Sequence, residues 1–158
     1  MAALKTAPLR QQHESIRKTV DKLRKHLNPM LLAGNAVEVR QDLTQLLGEL
    51  GKHLQQEAKD VYPVLAEGED QAAREVAERF GTEMKQMLPK LAEFNKRWPT
   101  ANDIRANATQ FLKEADGAMK WLERRFIAEN NELYPLVDKL DIANLAATKN
   151  PDLKIARI

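Results

Sequence analysis

Apolar residues recur along this chain at the three- and four-residue spacing of amphipathic helices, and they do not alternate over the length of a strand. Four long stretches carry this pattern. Breaks between them fall at residues that end or begin helices, namely Asn28-Pro29, Gly34-Asn35, Gly68 and Trp98-Pro99. The pattern therefore predicts four amphipathic helices joined by short connections.

The boundaries of the predicted helices follow from the same breaks. The second helix runs to about Leu65, and the third contains Pro89, where a missing amide hydrogen predicts a kink or local irregularity. The fourth opens with Thr100, whose spacing to Asp103 fits a capping box, and it reaches about Leu140. We expect an all-α protein, an up-down-up-down antiparallel four-helix bundle with a short C-terminal extension. Residues 1–158 form one domain in this interpretation, with a core at about 8–140 and a short helix and tail at 141–158.

Composition narrows the function classes. The chain of 158 residues has no cysteine, which excludes disulfides, thiolate chemistry and iron-sulfur clusters. Its 25 basic and 23 acidic residues are interspersed, so it lacks the basic stripe expected of a nucleic-acid-binding protein. No apolar run approaches the roughly 20 residues that span a bilayer. We therefore expect a soluble, cytoplasmic protein with no nucleic-acid or membrane partner.

Two stretches of the chain share one frame of polar residues. KHLQQEAKDVYPVL at residues 52–65 and RFIAENNELYPLV at residues 125–137 align at an offset of 72 residues. In the first stretch His53 and Glu57 are four residues apart, which places both side chains on one face of a helix. The aligned pairs are His53 with Arg125, Glu57 with Glu129, Asp60 with Glu132, Tyr62 with Tyr134, and Pro63 with Pro135. This correspondence predicts an internal duplication of a helical hairpin.

The duplication also assigns a counterpart to His13 on the first helix. Apolar residues follow His13 at steps of 3, 7, 10 and 14, and the same steps from Met84 reach apolar residues. Steps counted from Lys85 match less well. Met84 is therefore the better counterpart of His13, with Lys85 as the alternative.

These features resemble the haemerythrin-like superfamily, in its HHE cation-binding branch, over roughly residues 8–140. The resemblance rests on His13-Glu14, on the H-x-x-x-E and Tyr-Pro of the second helix, on the second ELYP, and on Glu83 before Met84. It implies a four-helix bundle that holds two non-haem irons, with histidine ligands from all four helices and two bridging carboxylates. Members of the family bind or sense oxygen, sense or store iron, or repair nitrosative damage.

Four residues of this chain match ligand positions implied by the resemblance, and two depart from them. His13, His53, Glu57 and Glu129 match, whereas Met84 and Arg125 stand where histidines would serve the second iron. We therefore expect one non-haem metal ion, iron by resemblance and otherwise zinc or manganese, with a small diatomic molecule as a candidate ligand. Such a protein would act in metal, oxygen or nitrosative-stress sensing or handling.

The alternative is a metal-free bundle that acts as a protein-interaction or signalling module, with an unnamed partner. Arg125 would then pair with both glutamates while His13 and His53 complete a buried hydrogen-bond network. An enzyme is the third option, but no further acid-base group in the sequence names a substrate.

Several other polar residues are interpreted without a metal. His26 is placed on the surface, because it lies about 220° around the helix from His13. Asp60 and Glu132 are interpreted as solvated residues near helix ends, with acceptors in the outer shell of the site as the alternative. Tyr62 and Tyr134 are interpreted as packing at the end of the bundle, and the alternative is that they gate the site or hydrogen-bond to it. Met84, Met87 and Met119 are interpreted as core residues.

Overall fold

The structure, a computed structural model, describes residues 4–149 and is helical throughout its regular segments. Five helices are long: α1 (Ala7–Arg24), α2 (Ala36–Asp60), α4 (Gln71–Arg97), α6 (Ala108–Ala128) and α7 (Tyr134–Lys149). Two are short: α3 (Tyr62–Ala66) and α5 (Ala101–Ala106). A 3₁₀ turn at Ala33–Asn35 precedes α2, and a π-helical segment at Glu129–Leu133 joins α6 to α7. The all-helical class is confirmed for residues 4–149, while the count of four helices and their up-down order stay predictions.

Two of the predicted helices are interrupted. The second one breaks at Val61, after which Pro63 stands in the first turn of α3, where a missing amide hydrogen costs no helical hydrogen bond. The fourth is divided at Asn107 and again at the π-helical segment. Helix α7 continues past Leu140 to Lys149, so residues 141–149 extend a long helix instead of forming a separate short one. The predicted tail at 150–158 lies outside the described residues.

Side-chain caps fix two helix starts. Asp70 accepts hydrogen bonds from the backbone amides of Ala72 and Ala73 at the start of α4. Thr100 Oγ1 accepts from the amide of Asp103 at 3.2 Å, which is half of the predicted capping box. Its hydroxyl also donates to Asp103 Oδ2 at 2.6 Å. Helix α4 continues through Pro89 as one unbroken α-helix.

Buried apolar residues form two clusters that lie on either side of a polar layer. Along α1 Leu9 belongs to one cluster and Ile16 to the other, with His13 between them. The other segments that supply the layer cross the two clusters in the reverse order: His53 follows Leu50 and precedes Val61, and Glu129 follows Phe126 and precedes Leu133. Helix α1 packs on α2 and α6, and α3 packs on α4 and α7. The polar residues are thus enclosed by apolar packing above and below.

Among the described residues, none of the helices combines the length and the hydropathy that crossing a membrane would require.

Candidate metal centre

The four predicted ligand residues meet in the buried polar layer. His13 comes from α1, His53 and Glu57 from α2, and Glu129 from the first residue of the π-helical segment. His13 is 3% exposed, and the other three are completely buried. Since ionised carboxylates are costly to bury without a cation, this concentration of polar groups requires a compensating interaction.

The ligand atoms of these residues point at one another. His13 Nε2 lies 2.8 Å from Glu129 Oε1 and 3.1 Å from His53 Nε2. His53 Nε2 lies 3.3 Å from Glu129 Oε1 and 2.8 Å from Glu57 Oε1. A metal ion with bonds of about 2.1 Å separates its ligand atoms by roughly 3.0–3.4 Å. The observed spacing is therefore close to that of a single coordination shell.

Two amide side chains orient the imidazole rings. His13 Nδ1 lies 2.9 Å from Asn130 Oδ1, and His53 Nδ1 lies 2.9 Å from Gln12 Oε1. Because an amide oxygen only accepts, both Nδ1 atoms carry hydrogen and donate. In the neutral form that binds a metal ion, each ring then presents the lone pair of Nε2 to the centre, whereas a protonated ring donates from Nε2 to Glu129 instead.

Glu57 has the least satisfied side chain of the centre. Neither of its carboxylate oxygens has a hydrogen-bond partner in the part of the chain that the structure describes, although both are buried. His53 Nε2 approaches Oε1 closely but outside hydrogen-bonding geometry. Burial raises the pKa of Glu57 to about 7, against the opposing effect of His53. A carboxylate in this position needs a proton or a cation.

The pKa values of Glu129 and His53 are shifted so that each group favours its charged form, unlike that of Glu57. Burial favours a high pKa for Glu129, but hydrogen bonds from His13 and His53 and the charge of Arg125 outweigh it and hold the pKa well below its usual range. Burial lowers the pKa of His53, yet its close interactions with the carboxylates of Glu129 and Glu57 prevail and raise it to about 9. In the absence of a metal, His53 can therefore carry the compensating positive charge.

Arg125 lies beside Glu129, on the side away from the imidazoles. Its Nε donates to Glu129 Oε2 at 2.7 Å, its Nη1 to Glu83 Oε2 at 3.2 Å, and its Nη2 to the hydroxyl of Tyr62 at 2.9 Å. Its guanidinium also stacks over Phe80, 4.6 Å from the ring centre. The expectation that Arg125 hydrogen-bonds both site glutamates is corrected, because its second carboxylate partner is Glu83 on α4 and not Glu57.

The two candidate counterparts of His13 have different environments. Met84 is buried, with 7% of its surface exposed, whereas the neighbouring Lys85 is exposed. Burial favours Met84 as the residue that faces the centre, in line with the apolar steps in the sequence.

Tyr134 is the main group of the centre for which the sequence interpretation preferred packing at the end of the bundle. Its hydroxyl lies 3.1 Å from His13 Nε2 and 3.3 Å from both His53 Nε2 and Glu129 Oε1. The π-helical turn explains this position, since the amide of Tyr134 bonds to the carbonyl of Glu129, five residues earlier. Burial keeps the pKa of Tyr134 far above its usual value, so the phenol retains its proton and donates. The interpretation of Tyr62 and Tyr134 as end packing is therefore corrected for both hydroxyls.

The other polar residues lie outside the centre. Glu132 pairs with Arg79 at the surface, and Asp60 accepts a hydrogen bond from Gln56. His26 is half-buried and not fully on the surface as predicted. Asn130 and Gln12, which orient the imidazoles, were not identified from the sequence; their only signal is that each directly neighbours a ligand residue.

A cavity reaches the outer face of the centre. It has a volume of about 340 Å³, lies between α1 and α6, and is lined by His13, Asn130 and Phe126 among others. Arg17 and Glu123 stand at its polar wall. A small molecule could approach His13 through this cavity.

The helical fold and the buried histidine-carboxylate group define an all-helical protein with a candidate cation-binding centre. Residues 5–137 match the family model described as the hemerythrin HHE cation binding domain, and the chain therefore belongs to that family. The resemblance expected from the sequence is confirmed. No curated protein and no solved structure matches the chain significantly.

Proposed function

We propose that this hemerythrin-family protein binds one non-haem metal ion through His13, His53, Glu57 and Glu129. The observation that carries the proposal is the Glu57 carboxylate, which is buried without a hydrogen-bond partner beside three converging ligand atoms. A cation shared by the four side chains would satisfy Glu57 and would also use the lone pairs that Gln12 and Asn130 direct inward.

A single ion is proposed because the second position of the family frame holds other groups. Arg125 supplies a permanent positive charge to Glu129 Oε2 and would repel a second cation. Met84 offers a thioether, which is a poor ligand for iron, zinc or manganese in their common divalent states. Arg125 thereby supplies to Glu129 the positive charge that a second metal ion would otherwise supply.

Iron is the first choice of metal from family membership, with zinc or manganese as alternatives for two imidazoles and two carboxylates. Four protein donors leave room for a further ligand on a five- or six-coordinate ion. The cavity beside His13 supports access by a small diatomic molecule. We propose sensing or handling of metal, oxygen or nitrosative stress as the biological setting.

The test is a metal count on protein purified without a metal-affinity tag, followed by anaerobic titration with Fe(II). About one ion per chain is expected for the natural sequence and for Asp60→Asn/Glu132→Gln, which changes two acidic residues outside the centre. Binding should be lost in His13→Ala/His53→Ala and weakened at least ~10-fold in the isosteric Glu57→Gln variant. Full retention of the ion in the double-alanine variant would contradict the proposal.

The second candidate is a metal-free interaction or signalling module. It is favoured by the raised pKa of His53, because a protonated His53 together with Arg125 would balance Glu57 and Glu129 without a metal. The melting temperature separates the two candidates. A metal-free module keeps the same melting temperature with strong chelators and with added Fe(II), whereas the melting temperature of a metal-binding protein rises with the logarithm of the free ion concentration above its dissociation constant.

A further inference from the structure

A second group of potential ligands lies at the other end of the α1–α2 pair. His26 follows the end of α1, and Glu38 and Asp42 are one turn apart near the start of α2. One ligand atom from each of the three lies within 4.8 Å of the others. Asp42 precedes His53 by eleven residues on the same helix, which at 1.5 Å per residue is about 16 Å. The group is therefore separate from the centre described above.

Asp42 is unusually buried for an aspartate of an amphipathic helix. It is only 2% exposed, and Lys22 Nζ lies 2.9 Å from its Oδ1. Its other oxygen, Oδ2, is buried and has no hydrogen-bond partner among residues 4–149. A buried carboxylate oxygen without a partner is unfavourable, so it indicates an interaction that the protein side chains alone do not supply.

The histidine of the group has a similar deficit. Nδ1 of His26 is buried without a hydrogen-bond partner, and it lies 4.0 Å from Glu38 Oε2. The Glu38 side chain is about half exposed, so it can move without disturbing the core. A tetrahedral zinc ion with bonds of about 2.0–2.1 Å separates its ligands by roughly 3.3 Å, and a small rotation of Glu38 achieves that spacing.

We propose that His26, Glu38 and Asp42 bind a zinc-type divalent ion, with water as the fourth ligand. One imidazole nitrogen and two carboxylate oxygens form a donor set that suits Zn²⁺, and both unsatisfied atoms of the group would become ligands. The ion would link the end of α1 to α2 across the connection at residues 25–35. This inference does not depend on the proposed function of the first centre.

The test is a calorimetric titration with Zn²⁺ of the full chain and of His13→Gln/His53→Gln, in which the first centre is disabled. A binding step that persists in the double variant is expected. His26→Gln and Glu38→Gln should each weaken that step at least ~10-fold, and neither residue belongs to the apolar clusters, so both variants should fold. Asp116→Asn is the matched control, since it removes an exposed carboxylate paired with Lys120 on another helix and should leave the step unchanged.

Lys22→Met should change the zinc affinity in the opposite direction from His26→Gln and Glu38→Gln. Lys22 is a competing cation at Asp42 Oδ1, so its removal should strengthen zinc binding several-fold. In a purely structural ion-pair network the same substitution would not strengthen zinc binding. The proposal is overturned if no step persists in the double variant, if His26→Gln binds that zinc as tightly as the natural sequence, or if Lys22→Met weakens it.

Discussion

Arg125 Nε donates a hydrogen bond of 2.7 Å to one oxygen of Glu129, while the other oxygen of that carboxylate lies 2.8 Å from His13 Nε2. The carboxylate is thus divided between a permanent cation and the imidazole pair. Glu57, its counterpart in the sequence frame, has no such cation and no hydrogen-bond partner. Arg125 therefore balances the charge of Glu129, whereas Glu57 still needs a proton or a metal ion.

The first prediction concerns the stabilising role of this ion pair. Arg125→Met should lower the free energy of unfolding by about 3 kcal/mol in metal-free protein, because it leaves the buried Glu129 without its guanidinium. The measurement is urea unfolding in the presence of a chelator.

Arg79→Met is the matched control. Arg79 also pairs with a glutamate of the same segment at 2.9 Å and also lies over Phe80, but its pair with Glu132 is about half exposed on both sides. We expect a loss below about 1 kcal/mol there. Equal losses in the two variants would show that burial of the Arg125–Glu129 pair contributes nothing.

The second prediction restores the second metal position. Met84→His with Arg125→His should raise iron capacity from about one toward two ions per chain, because two imidazoles replace a thioether and a competing cation. The measurement is iron stoichiometry after anaerobic loading, followed by the near-ultraviolet absorption in air. Lys85→His with Arg125→His tests the alternative assignment, and since Lys85 is exposed we expect no second ion. A second ion in the Lys85 variant alone would reverse the assignment of Met84.

The sequence predicted the helices because their apolar residues follow a regular period, whereas the set of four central residues came from the internal duplication and the family resemblance. Apolar spacing identifies amphipathic helices, and the i, i+4 relation of His53 and Glu57 places both on one face. Packing at the end of the bundle was preferred for Tyr134, because the sequence does not reveal that a π-helical turn, and not an α-helical one, links it to Glu129. Pro135 favours this wider turn, since it has no amide hydrogen and its ring disfavours regular α-helical packing.

Other details depend on long-range packing that no period encodes. The carboxylate that shares Arg125 with Glu129 is Glu83, which is 42 residues away in the chain. The amides that orient the imidazoles, Asn130 and Gln12, come from positions next to ligands, where a polar residue is ordinary. The burial of Asp42 could not be predicted from the sequence either, because a lone aspartate in an amphipathic helix is normally placed on the solvent side.

The third prediction concerns the pH dependence of stability in metal-free protein. The folded-state pKa of His53 is about 9, above its ordinary value of 6.5. A raised pKa stabilises the fold fully below pH 6.5, and this contribution is lost as the pH rises to about 9. Over that window the advantage of the natural sequence over His53→Gln should shrink by at most about 3 kcal/mol.

The measurement is urea unfolding of both proteins at pH 6 and pH 9.5 with a chelator present. Glu57 changes stability in the same direction but at lower pH, since its raised pKa of about 7 gives a contribution that is lost between about pH 4.5 and 7. A difference between the proteins that stays constant from pH 6 to 9.5 would contradict a protonated His53 in the metal-free centre. With metal present the trend should reverse, because a bound ion requires unprotonated imidazoles and binds more tightly as the pH rises.

The last prediction assigns Tyr134 to the support of the centre. Its phenol donates to Glu129 Oε1 and touches both imidazoles, so Tyr134→Phe should weaken metal binding by about 10-fold while the buried ring keeps its packing. Tyr62→Phe is the matched control, because the Tyr62 hydroxyl accepts from Arg125 and is not among the partners of either histidine. It should lower the free energy of unfolding by about 1–2 kcal/mol and change metal affinity less than about twofold. Anaerobic titration measures metal affinity, and urea unfolding measures stability, in the two variants. Equal effects of the two substitutions on metal affinity would contradict a supporting role of Tyr134 in the centre.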